Sequence, residues 1–194
     1  MMHAPEETRA RWPGAVALVV ALLMGSAACD SDPFSFDWSD APDTVLLYSL
    51  ARPELNLVSA FNFFQRLPVR IEAAAATGTW DAAVDTENGQ IVLVPPGAFG
   101  LPSAARIAVL DGMSLDDVTK APTDTLVYIA DERVPVRTGS VYIVKTNRQR
   151  GSFGSTCVYY AKLEPVTIDV PGGTFTFRYV INPICNSQDL VPPN

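Results

Sequence analysis

The chain has 194 residues, 48% of them apolar and 18% charged, with a formal charge of −7 and one histidine, His3. That is enough chain for one domain with a real core, too apolar for a disordered chain, and too acidic for a nucleic-acid binder, which needs a strong basic surface. Its one histidine, His3, leaves every later residue without the commonest side chain of catalytic triads and zinc sites.

Gly14 to Met24 (GAVALVVALLM) is an unbroken apolar run of 11 residues. A spanning helix needs about 20 such residues, whereas the core of a secretory signal takes about 7–15. Arg9 and Arg11 precede the run, and Gly25, Ser26, Ala27 and Ala28 follow it, ending at Cys29. A signal core, small residues and then a cysteine resemble the lipobox of bacterial lipoproteins. Ser26 stands where that family usually has an aliphatic residue. The resemblance implies a signal peptide over residues 1–28 and lipid on the Cys29 thiol. Two or more acyl chains give stable anchoring, because each buried methylene contributes about 0.8 kcal/mol. The alternative is an ordinary signal cleaved near Ala28.

Cleavage there removes two Arg and two Glu, so the charge of −7 persists. Residues 29–43 read as an acidic tether, with Asp at 30, 32, 37, 40 and 43 and no Lys or Arg. They lack the Gly and Glu positions of a helix-loop-helix calcium site, and no metal is expected. The address implied is the bacterial cell envelope, on its periplasmic or surface face, with the choice of membrane left open. Two cysteines then remain, Cys157 and Cys185. In an oxidising compartment such a pair tends to bridge, and no C-x-x-C redox motif competes for them.

From residue 44 to residue 194 the chain reads as one β-rich domain. Thr44–Leu50 is apolar and β-branched. Asn56–Gln65 is the best helix candidate, bracketed by Pro53 and Pro68. Val69–Glu72 reads as a short strand. Trp80–Thr86 meets Gln90–Val94 across Glu87-Asn88-Gly89, a strong hairpin signal. Pro95-Pro96-Gly97 stops the second strand. Arg106–Leu110, Leu126–Ala130 and Val141–Thr146 read as further strands. Ser114–Asp117 reads as the capped start of one helical turn.

The last third has the cleanest two-residue period. Cys157, Tyr159, Ala161 and Leu163 share one face, and Phe175, Phe177, Tyr179 and Ile181 share another. Pro171-Gly172-Gly173 turns the chain between them. Short strands every 8–12 residues with Gly/Pro turns predict an all-β fold, an antiparallel β-sandwich or open barrel with at most one or two short helices.

The order of several of these pieces resembles the HmuY-type envelope lipoproteins over about residues 78–182. The matching pieces are the lipobox-like N-terminus, Trp80-Asp81-Ala82-Ala83-Val84, the Leu115–Tyr128 stretch, Val141–Thr146, Tyr160–Leu163 and Thr176–Tyr179. The resemblance implies an all-β fold. It also implies the alternative function, an HmuY-like haem or small-ligand carrier, here without the usual histidine ligands. Members that bind haem use His or Met as axial ligands, and beyond the signal this chain offers only Met113. No cofactor is expected.

Catalysis is not expected either. G-x-S-x-G, S-x-x-K and the phosphate-binding Gly-Lys loop are absent from the sequence. The carboxylate pairs Asp116-Asp117 and Asp131-Glu132 fall at turns, where acids normally face water. One stretch departs from the acidic background: residues 133–150 carry Arg133, Arg137, Lys145, Arg148 and Arg150 and no acid. The loop that closes it points to Arg148, Arg150, Ser152 and Ser155 as candidates for holding an anion or a partner. The expected partners are the membrane through its lipid anchor, and an envelope protein, a polysaccharide or a small ligand. The function expected is a lipid-anchored, non-catalytic binding or structural module.

Overall fold

The alternating patterns of the sequence become two antiparallel sheets packed face to face. The computed structural model describes residues 38–39, 41–151 and 154–193. The signal peptide, Cys29, most of the tether and Ser152 therefore lie outside the described residues. In chain order the strands are β1 (Asp43–Tyr48), β2 (Ala60–Asn62), β3 (Leu67–Val69), β4 (Ala82–Glu87), β5 (Gln90–Val94) and β6 (Arg106–Asp111). They continue with β7 (Val134–Pro135), β8 (Ser140–Lys145), β9 (Gln149–Arg150), β10 (Thr156–Cys157), β11 (Tyr160–Asp169) and β12 (Thr174–Ile181). One sheet has the order β1-β12-β11-β8-β6, the other β3-β2-β4-β5-β7, and β9 and β10 form a separate ribbon. Among the described residues there is no α-helix, and the helical turns are short 3-10 ones.

Side-chain alternation sets the core. Leu47, Tyr142, Leu163, Phe175 and Phe177 from the first sheet meet Phe61, Val84, Ile91 and Leu93 from the second in one buried cluster. Phe61 makes edge-on ring contacts to Phe177 at 6.0 Å and Tyr179 at 5.1 Å across the gap. The four residues from Cys157 to Leu163 and the four from Phe175 to Ile181 that the period assigns to inner faces all lie in this cluster. Beyond Leu163 a bulge between Pro165 and Thr167 shifts the register against β12. The shift moves the inward phase from odd to even positions, so that Ile168 packs on the core.

Both sheets are also covered on their outer faces. On the first, Val141, Ile143 and Val180 pack under Leu115, Val118 and Leu190. That cover is stitched by Ala121 N–H to Gln188 O (2.8 Å) and Leu190 N–H to Thr119 O (2.8 Å). On the second, Ala83, Val92 and Val94 lie under Trp80, with Ala98 and Leu101 packed against them. Burial on both faces explains why β5 and β8 read as continuous apolar runs.

The Asn88-Gly89 hairpin forms as expected, with φ of 51° and 74° and Glu87 paired with Gln90. Positive φ at both positions is what a two-residue primed turn requires. Three local expectations are corrected. Asn56–Gln65 is not helical: its centre is β2, an interior strand flanked by β3 and β4. Leu126–Ala130 is not a strand: the Asp124 carboxylate accepts the Leu126 N–H at 2.9 Å and caps a 3-10 turn over Thr125–Val127. Only Ile129 bridges to Ile107. The strand expected at Val69–Glu72 lies earlier, at Leu67–Val69. The capped turn expected at Ser114–Asp117 forms, the Asp117 carboxylate accepting the Ser114 hydroxyl at 2.6 Å and the Ser114 N–H at 3.2 Å. Those bonds hold the Asp117 carboxyl below its ordinary range.

Candidate anion-binding site

At one end of the first sheet, β6 starts where β8 ends. The register sets Arg106 directly opposite Lys145. Like charges in directly opposed positions destabilise a sheet, so this pairing requires an explanation. Arg148 follows three residues after Lys145. Together with Ser103, Ala104 and Asn147 these cations line an open depression of about 560 Å³.

The walls are fixed by hydrogen bonds. Arg106 Nη1 donates to Ser103 O at 2.9 Å and to Ala105 O at 2.7 Å, which holds the guanidinium at the rim. Asn147 joins the two walls: its Oδ1 accepts the Ala104 N–H (3.1 Å) and the Arg148 N–H (2.8 Å). Its Nδ2 donates to Gly78 O at 3.0 Å.

Asp81 anchors Asn147 from below. This carboxylate has no exposed surface. It accepts the Asn147 N–H at 2.6 Å and the Phe63 N–H at 2.8 Å. Burial pushes the Asp81 carboxyl up to about 6, against the pull of those two N–H donors. Between the unfolded value of 3.8 and about 6 the folded chain holds a proton that the unfolded chain has lost. Stability from this group is therefore full below the lower value, falls as pH rises through the window, and is level above it. The whole change is on the order of 3 kcal/mol. Urea midpoints measured from pH 4 to 7 should carry this falling component, and Asp81→Asn should remove it. An identical profile in Asp81→Asn would show that the group titrates elsewhere.

Arg52, Arg133 and Arg178 each meet a carboxylate within 3 Å, and Arg66 approaches Asp43 at 3.8 Å. Among the described residues no carboxylate lies within 4 Å of Arg106, Lys145 or Arg148. Arg70, Lys120, Arg137 and Arg150 likewise have no carboxylate within 4 Å among the described residues, so what sets Arg106, Lys145 and Arg148 apart is that they line one depression together.

The residues singled out in the sequence are divided by the fold. Arg148 lines the depression. Arg150 lies in β9, opposite Thr156 of β10. Arg150 and Ser155 border a separate shallow hollow of about 370 Å³, which Arg148 also touches. Gly151 N–H donates to Ser155 O at 2.9 Å and closes this ribbon. Arg133, part of the same basic stretch, is turned away and bound to Asp85 at 2.6 Å. Arg106 and Asn147 were missed because they join Lys145 only through strand register and side-chain bonds. Met113 packs beside Leu115 and Val118 on the outer face of the first sheet. The Cys157–Cys185 disulfide is present, with Cα atoms 5.1 Å apart.

No protein-family model matches the sequence, and a search of curated proteins found no match.

Proposed function

We propose that the protein is a non-catalytic binding module, lipid-anchored at the cell envelope, that captures an anionic group in the depression between Arg106, Lys145 and Arg148. The observation that carries the reading is the directly opposed pair Arg106 and Lys145, joined at the rim by Arg148, with no carboxylate near any of the three among the described residues. A bound anion would offset the repulsion that the sheet register imposes. Arginine supplies a flat fork for a carboxylate or phosphate, and lysine a compact charge beside it.

Adding sodium acetate to the folded protein is expected to shift the backbone amide signals of Ala104, Arg106 and Arg148 in a saturable way. Sodium chloride at the same ionic strength should not. Equal responses to both salts would mean general screening, and the capture reading would fall.

The anchor is supported by the order of signal core, small residues and Cys29. Cys29→Ser is expected to move the protein from the detergent phase to the aqueous phase in a phase-partition assay of whole cells. A variant that stays in the detergent phase would exclude lipid on that thiol.

A further inference from the structure

A second, narrower space opens beside the depression. It measures about 110 Å³ and is bordered by Pro122, Tyr128, Tyr160 and Gln188, with Arg106 and Lys145 again on its rim. The same two cations thus stand between a wet, open depression and an aromatic slot. Tyr128 and Tyr160 meet at 6.5 Å with their rings inclined at 65°. The Tyr128 hydroxyl is committed to Pro122 O at 3.0 Å, so Tyr128 offers the slot ring surface more than hydrogen-bonding capacity. The slot is smaller than the cavity of about 150 Å³ that holds benzene, but it is open at its mouth, so it takes at most one ring, part of which stays outside.

Resting on the anion-capture reading above, we infer that the ligand is a small organic anion carrying a single ring, its charged group held by Arg106 and Lys145 and its ring seated between Pro122, Tyr128 and Tyr160. Neither space alone selects such a molecule. An inorganic anion fills only the depression, and a neutral ring leaves the two cations opposed. Only a ring with a charge attached answers both.

Calorimetric titrations with four probes separate these contributions: sodium benzoate, sodium acetate, benzyl alcohol and inorganic phosphate. Benzoate is expected to bind at least about tenfold tighter than acetate or phosphate, because the ring adds buried apolar area. It should also bind at least about tenfold tighter than benzyl alcohol, because the alcohol brings no charge to the cations. Thr125 is exposed at the edge of the slot. Thr125→Phe should block the slot and bring benzoate down to the affinity of acetate, with acetate unchanged. Lys145→Gln should weaken both.

Benzoate and acetate binding equally would overturn the ring inference and leave the anion reading standing. Benzyl alcohol binding as tightly as benzoate would also overturn it, since charge would then contribute nothing. If none of the three anions binds, the anion reading itself fails. Benzoate affinity unaltered in Thr125→Phe would place the ring elsewhere and overturn the inference.

Discussion

Phe177→Ala is expected to lose about 3–5 kcal/mol of folding stability, the range for truncating a large aromatic core side chain. Phe177 is 1% exposed. Its ring lies 5.2 Å from Phe175 and 6.0 Å from Phe61, with Tyr179 at 6.1 Å and Phe63 at 6.2 Å. It stands in β12, paired with Val45 on one side and Pro165 on the other. Its removal therefore opens a cavity that two ladders hold apart and that cannot readily collapse. For a body of this size about 1 kcal/mol moves the melting temperature by about 2–4 °C, so the fall should be about 6–20 °C. A urea titration should show a lower midpoint at an unchanged slope. Leu126, 90% exposed, is the control, and Leu126→Ala should stay within about 0.5 kcal/mol of the native chain. A loss below about 1 kcal/mol at Phe177 would mean that the two sheets do not share this core.

The disulfide should matter nearly as much. Cys157 and Cys185 are separated by 28 positions, and a loop of that length contributes about 3.5 kcal/mol by restricting the unfolded chain. The bridge ties β10 to the segment that follows β12. Asn186 reinforces it by donating its N–H to Val158 O and accepting the Val158 N–H, both at 2.9 Å. Cys157 is buried, so alanine is the better replacement, because a serine hydroxyl would need a partner there. The double variant Cys157→Ala/Cys185→Ala should melt about 7–14 °C lower than the oxidised protein. Adding a reductant to the native protein should give a similar fall, and adding it to the variant should do nothing. A double variant as stable as the native chain would show that the two thiols are not joined in the folded protein.

The sequence made the sandwich visible where one face of a strand is buried and the other is wet. Thr174, Thr176 and Arg178 alternate with Phe175, Phe177 and Tyr179, and no helix could place those residues so. It was least legible at β2, an interior strand with both faces covered. In Asn56–Gln65, Ala60 packs outward under Trp80 while Phe61 and Phe63 point inward. The two-residue period vanishes there, leaving an apolar patch that reads as helix. Leu126–Ala130 failed for a different reason. The residues suit a strand, but the Asp124 cap diverts the backbone, and that bond is decided by a single side chain. The candidate site was half legible. A run of cations without acids drew attention to Lys145 and Arg148, and an open loop drew attention to Arg150. Arg106 lies 39 positions before Lys145, and only the register of β6 against β8 brings them together. The acids that neutralise Arg133 come from β4, again through packing that local spacing does not encode.

The proposed anion site requires that Lys145 stand opposite Arg106 at a cost to the fold. Melting curves of the native protein and Lys145→Gln, each with and without saturating benzoate, test it most directly. Without benzoate the variant is expected to melt no lower than the native protein, because one of two opposed charges is gone. With benzoate at about a hundred times its dissociation constant, the native protein should gain about 2.7 kcal/mol and the variant far less. A variant that melts several degrees lower on its own, and gains as much from benzoate as the native protein, would contradict the account.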